Sequence, residues 1–209
     1  MISMYDNKKI TKLRPYQQAI IDDKENNHLL IWPRRYGKDL TVCAAAYLNQ
    51  TKSNEYHLIY DQFVKFQFNH QPKYINKNNV NVKVYRPNTD REMEQIPESI
   101  KTISFSDVEP IFILKYLKNE APFNRFNFHP NVKTIIAATP TLNTKEYIEI
   151  YNMVNKKKNW KISHLSVDDF QVFNKEELDL AKENDGKEFY ASFYPLKDIN
   201  NQNKKQGRE

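Results

Sequence analysis

The run His28-Leu29-Leu30-Ile31-Trp32-Pro33-Arg34-Arg35-Tyr36-Gly37-Lys38-Asp39-Leu40-Thr41 decides the fold. Residues 28–32 form a short apolar stretch ending in Ile and Trp, the pattern of a buried parallel strand. A loop follows over 33–37. Residues 38–50 then carry Leu40, Val42, the alanines at 44–46, Tyr47 and Leu48, which predicts a largely buried helix of about three turns. Strand, loop and helix in that order set helix N-terminal amides behind a tight turn, the arrangement that cradles phosphate oxygens. Gly37 stands where backbone must turn or approach a ligand closely, and the chain has only three glycines in 209 residues.

The usual phosphate loop reads G-x-x-x-x-G-K-[ST]. Here Trp32 occupies the first Gly position and Asp39 the Ser/Thr position. Lys38 supplies a point charge for the β- and γ-phosphates, and a guanidinium from Arg34 or Arg35 can fork onto phosphate oxygens and offset charge developing at the γ-phosphoryl. A carboxylate at Asp39 repels a triphosphate unless Mg²⁺ lies between them, so Asp39 is a candidate ligand for that ion. Thr41 is a second candidate hydroxyl. The expected ATP-binding stretch is therefore Arg34, Arg35, Tyr36, Gly37, Lys38, Asp39, Leu40 and Thr41.

Outward from the loop, strands and helices alternate. Residues 14–23 predict a short amphipathic helix with Pro15 in its first turn and Ala19, Ile20 and Ile21 on its apolar side. Residues 56–60 (YHLIY) predict a strand and 61–68 a helix. The alternating 80–85 (VNVKVY) predicts a strand at or near a sheet edge. Strands are also expected over 101–105 and 132–139, with helix around 111–119 between them. Helices follow over 145–155 and 174–184, the latter capped by Asn174 with Glu176 and Glu177 in its first turn. The expected fold class is thus α/β, a central, mainly parallel sheet flanked by helices.

Composition narrows the classes further. A formal charge of +6 spread over 32 basic and 26 acidic residues means that any polyanion binding comes from local clustering rather than an overwhelming field. The single cysteine, Cys43, excludes an internal disulfide and a Cys-rich zinc site built from this chain alone. No run approaches the roughly 18 apolar residues of a membrane span, and residues 1–12 are polar rather than a signal core. A soluble, intracellular protein with no membrane partner is expected. Residues 198–209 are almost free of apolar side chains and read as a disordered polar tail.

Pro33-Arg34-Arg35-Tyr36-Gly37-Lys38-Asp39 resembles the Walker A loop of the N-terminal ATPase domain of phage large terminases, several of which carry an R-[RQ]-x-G-K-[STD] form without the first Gly. Leu13-Arg14-Pro15-Tyr16-Gln17 is similar to the upstream segment whose Gln contacts adenine, which would give Gln17 that role. Thr134-Ile135-Ile136-Ala137-Ala138-Thr139-Pro140 resembles the coupling motif that senses the γ-phosphate, which assigns coupling to Thr139. Residues 160–169 and 176–190 look like the segment that joins this domain to a nuclease. The Walker B counterpart reads Ile103-Ser104-Phe105-Ser106-Asp107-Val108-Glu109. Aligned on an F-S-E form, Asp107 takes the place of the water-orienting Glu and Ser106 that of the Asp; in another register Asp107 orders the Mg²⁺ and Glu109 orients the water.

The resemblance implies a P-loop NTPase of the ASCE (RecA-like) branch that hydrolyses ATP with Mg²⁺. Arg34, Lys38, Asp107 and Glu109 would be catalytic, and Asp39 and Asp107 would serve the metal. Residues 1–165 would form the ATPase domain and 166–197 a linker leading towards a nuclease. No nuclease activity is expected from this chain, because Asp198 and Glu209 in a polar tail cannot build the convergent carboxylates that two metals need. The partners implied are double-stranded DNA, a portal protein, a small terminase subunit and further copies in a ring, with a monomer allowed for the isolated chain. The expected setting is the cytoplasm of an infected bacterium, without secretion. Two rival readings share the motifs: a superfamily 2 helicase-like ATPase fragment, and a degenerate P-loop module that binds DNA or a partner without turnover.

Overall fold

The computed structural model of the protein describes residues 13–48, 56–61, 81–85, 100–121, 123, 131–138 and 144–196. Its elements run in the order α1 (Pro15–Asp22), β1 (Asn27–Ile31), α2 (Lys38–Leu48), β2 (Tyr56–Asp61), β3 (Asn81–Tyr85), β4 (Ile100–Ser106), α3 (Pro110–Leu117), β5 (Lys133–Ala138), α4 (Thr144–Asn155), β6 (Trp160–His164), α5 (Lys175–Asp185) and α6 (Lys187–Phe193). The six strands form one sheet in the order β3-β2-β4-β5-β1-β6. Every neighbouring pair is parallel. Parallel pairing needs crossovers, and helices cover both faces, which is why β1, β2, β4 and β5 are buried nearly throughout.

Strand alternation divides the interior in two. Leu29 and Ile31, Leu58 and Tyr60, Ile103 and Phe105, Ile136 and Ala138 point to one face. There they meet Ile113, Leu114 and Leu117 of α3 and Tyr147, Ile150 and Val154 of α4. Leu30, Ile59, Ile135 and Ala137 point the other way, with Trp32 just beyond β1. They meet Tyr16, Ile20 and Ile21 of α1, Val42, Ala45 and Ala46 of α2, and Phe189 and Phe193 of α6. The small Ala45 and Ala46 let α2 lie close over β2, β4 and β5. At about 25 cal/mol per Å² of buried apolar surface, these two cores are the main force holding the sheet between its helices.

The expected edge strand is β3, at one end of the sheet. At the other edge, residues 160–164, quoted above only as part of a joining segment, form β6 and pair with β1 along its full length. Asp61 closes β2 rather than opening a helix, and the rest of the helix expected over 61–68 lies outside the described residues, as do the tail at 198–209 and Thr139. Asn174 caps α5 as expected: its side chain accepts from Glu177 N at 2.8 Å while the Glu177 carboxylate accepts from Asn174 N at 2.8 Å. Among the described residues no helix is long and apolar enough to cross a membrane.

Candidate nucleotide site

The strand order brings the functional ends together. β5 lies between β1 and β4, so the loop after β1 and the end of β4 open onto the same, carboxyl-terminal rim of the sheet, where ligands of open α/β sheets bind. The loop from Trp32 to Gly37 closes on itself through Lys38. Its buried Nζ donates to Trp32 O and Pro33 O, each at 2.9 Å. The ammonium is thereby held inside the ring of backbone, at the N-terminus of α2.

Trp32 explains the missing first glycine. Positive φ occurs in this loop at Arg35 (63°) and Gly37 (74°), and Trp32 is not among the residues with positive φ, so nothing at that position demands glycine. Its indole is fully buried on the α1 side, edge-on to Tyr16 at 4.9 Å, with Nε1 donating to Ser163 Oγ at 2.8 Å. Gly37 is different. A Cβ there would stand 2.5 Å from Gln17 Nε2, so the close approach of α1 to the loop needs the hydrogen atom.

Gln17 is buried and spans two elements: Oε1 accepts from Arg14 N at 2.9 Å and Nε2 donates to Gly37 O at 3.1 Å. The same Gly37 oxygen accepts from Thr41 N and Thr41 Oγ1, each at 2.9 Å. The Thr41 hydroxyl is thus turned back on its own helix, and Gln17 grips the loop backbone. Tyr16 Oη adds a bond to Tyr36 O at 3.1 Å.

Tyr36 and Arg34 tie the loop to the segment after β6. The buried Tyr36 hydroxyl shares one proton among the carbonyls of Phe170 (2.8 Å), Ser166 (3.2 Å) and Val167 (3.2 Å), and burial pushes its pKa up to about 12. Arg34 N donates to Ser192 O at 3.0 Å. The Arg34 guanidinium lies over the Phe193 ring at 5.4 Å and pairs with Asp185, Nη2 to Oδ2 at 2.9 Å, as an ion pair rather than an aligned hydrogen bond. Arg35 is exposed in the turn and Leu40 half-buried at the start of α2.

At the end of β4, Ser106 Oγ donates to Asp39 Oδ1 at 2.5 Å, joining the strand to the first turn of α2. Asp61 ends β2 directly opposite Ser106 and is fully buried. The buried Cys43 thiol is pushed well up, first by burial and then by the charges of Asp39 and Asp61. Asp39, Asp61 and Ser106 therefore gather around one turn of α2. Asp61 was missed in the sequence because YHLIYD was cut before its last residue; alternation from His57 and Ile59 places Asp61 on the α2 face.

Asp107 follows in the left-handed region at φ 49°, a conformation that Asp tolerates better than most residues. It lies toward the opposite face, near Tyr147, whose phenol pKa is raised by burial and then by the Asp107 charge. Glu109 is exposed at the N-cap of α3. Ser106 is the residue of this strand end whose side chain reaches Asp39 in the first turn of α2.

The donors on this rim are hard oxygens, the type that Mg²⁺ selects. Among the described residues no group of three or more His, Cys, Asp and Glu forms a metal cluster.

No family model matches the chain, and no curated protein sequence matches it. Solved structures do. The large terminase of the thermophilic bacteriophage D6E, in complex with ADP, superposes over 82% of this chain with a TM-score of 0.57 at 10% identity. A second crystal form of that terminase superposes over 87% with a TM-score of 0.60 at 9% identity. The chain spans about half the length of those terminase chains, 50% and 52%. The fold shared with that terminase is a parallel α/β sheet flanked by helices, the P-loop NTPase type of fold.

Proposed function

We propose that this chain binds ATP with Mg²⁺ in the loop of residues 33–41 and hydrolyses it, as the ATPase part of a DNA-packaging motor of the large-terminase kind. The observation that carries this reading is Lys38, whose ammonium is held within the loop at the start of α2 while Ser106 ties the end of β4 to the next residue, Asp39. A phosphate chain on the α2 amides would meet a cation already placed at the helix N-terminus.

In this reading Gln17 and Tyr16 hold the loop in shape, and Gln17 is also the residue closest in pattern to an adenine reader. Arg34 and Arg35 offset phosphate charge. Asp107 orients water at the γ-phosphate, with Glu109 as the other carboxylate of that segment, and Thr139 passes on the phosphate state. Bound Mg²⁺ would supply charge neutralisation on the phosphates, with Asp39 as its nearest protein carboxylate. The work done would be translocation of double-stranded DNA into a prohead in the host cytoplasm, by a ring of such chains on a portal with a small terminase subunit. Resemblance to the terminase motifs in the sequence is what suggests that assembly, and the D6E fold supports the ATPase-like core alone.

The test is Mg²⁺-dependent ATP binding and hydrolysis by the purified chain, with and without double-stranded DNA, beside Lys38→Ala. The motor reading expects DNA-stimulated turnover that the substitution lowers by at least ~100-fold. Absence of nucleotide binding by the unsubstituted chain would sink it. Binding without turnover, alone and in the presence of the portal, would leave a nucleotide-binding module and remove the motor.

A further inference from the structure

P-loop NTPases divide the metal between two elements: a Ser/Thr hydroxyl on the helix after the loop lysine, and an Asp carboxylate at the end of the Walker B strand. This chain has Asp39 immediately after Lys38 and Ser106 as the last residue of β4. The two side chains meet, Ser106 Oγ donating to Asp39 Oδ1 at 2.5 Å. A hydroxyl–carboxylate pair is therefore present at the junction of these elements, with its members on the opposite elements from the usual arrangement. Neither substitution reads sensibly alone. Together they conserve the pair.

Resting on the nucleotide-binding reading above, we propose that Asp39 and Ser106 are a transposed magnesium-holding pair, in which the helix supplies the carboxylate and the strand supplies the hydroxyl that orients it. Three features of the site fit. Asp39 lies in the first turn of α2, where the helix dipole favours an anion. Ser106 is fully buried and donates to a single aimed acceptor, which leaves the second carboxylate oxygen of Asp39 for a cation. Thr41, the aliphatic hydroxyl of α2, stands two residues beyond the usual Ser/Thr position and donates back to Gly37 O.

Transposition has a consequence that the usual arrangement lacks. The carboxylate is now one residue from the lysine, within the phosphate cradle itself, so a triphosphate entering without a cation meets a fixed negative charge. Nucleotide binding by this chain is then unusually metal-dependent, and removing the charge at Asp39 relieves that dependence.

The experiment is a titration of a fluorescent ADP analogue into wild-type, Asp39→Asn, Asp39→Ser, Ser106→Asp and Asp39→Ser/Ser106→Asp proteins. Each is titrated with Mn²⁺ and with EDTA, alongside Mn²⁺ paramagnetic resonance and thermal melting. The wild type is expected to bind at least ~10-fold more tightly with Mn²⁺ than with EDTA. Asp39→Asn, which keeps the oxygen that Ser106 bonds, should melt like wild type yet bind the analogue nearly equally in both conditions. Ser106→Asp sets two carboxylates against each other and should lose Mn²⁺ binding or fold poorly. The double variant, which restores the usual placement, should recover Mn²⁺-dependent binding to within ~3-fold of wild type.

Retained metal dependence in a well-folded Asp39→Asn, or a double variant no better than its worse single, overturns the transposition while leaving nucleotide binding intact. If the wild type binds no analogue in either condition, the nucleotide reading itself fails and the transposition with it.

Discussion

Gly37→Ala probes how firmly α1 grips the phosphate loop. The residue sits at φ 74°, and an added Cβ would lie 2.5 Å from Gln17 Nε2, with Leu40 Cβ at a comfortable 3.9 Å. The left-handed backbone costs an alanine about 1 kcal/mol. Gln17 must also withdraw, giving up its bond to Gly37 O and loosening the one from Arg14 N, each worth about 1 kcal/mol net. The sum is about 2–3 kcal/mol, or roughly a 5–10 °C fall in melting temperature for a chain of this size. In a Gln17→Ala background the obstruction is gone, so Gly37→Ala should then cost only the backbone part, about 1 kcal/mol. Thermal denaturation of the four proteins, followed by circular dichroism, measures the coupling. Equal costs in the two backgrounds, within about 0.3 kcal/mol, would show that Gln17 is not what requires glycine at this position.

Other perturbations read different parts of the molecule. His28 is buried among Asp23, Lys133 and Lys161, and its pKa is depressed to about 4, first by burial and then by the Lys133 charge. Because the unfolded chain takes up that proton near the ordinary histidine value, this contribution is complete above about pH 6.5 and lost as pH falls towards about 4, amounting to about 2 kcal/mol by about pH 5. Urea denaturation of His28→Leu should show a correspondingly smaller loss between neutral and mildly acidic pH, and an unchanged loss would remove His28 as its source. Asp185→Asn releases Arg34 from its carboxylate partner. It is expected to move stability by less than about 1 kcal/mol, since the pair is partly exposed, and to tighten nucleotide binding; unchanged binding would mean that Arg34 acts from where it stands. Cys43 should react with iodoacetamide at least ~100-fold more slowly than an open thiol, and rapid labelling of the native protein would contradict its burial.

The sheet was readable because its central strands carry short apolar runs: residues 28–32 and 56–60 contain all but one residue of β1 and of β2, and 132–139 contains the whole of β5. The capping pair of Asn174 and Glu177 was equally legible, since a cap is local chemistry within three residues. β6 was not. Trp160–His164 is only partly buried at a sheet edge, and Lys161 and His164 interrupt any periodicity. The loop residues were visible in sequence as candidates, whereas their company was not. Ser106 and Asp39 lie 67 residues apart, and only the strand order, with β5 between β1 and β4, brings them into reach. The partners of Arg34 and Tyr36 come from still further along the chain, where Asp185 and the carbonyls of Ser166, Val167 and Phe170 show no pattern of their own.

Those last attachments make the phosphate loop a joint between two bodies of chain. Arg34 is fastened through its amide to Ser192, beside the aromatic ring on which its guanidinium rests, and Tyr36 is moored to the turn that leaves β6. A pull on the polypeptide just beyond Phe193 would arrive at the loop backbone through one hydrogen bond, without crossing the sheet. Conversely, a loop that shifts must drag α5 and α6 or let go of them. Movement of the loop and movement of the last two helices therefore share a lever only a few residues long.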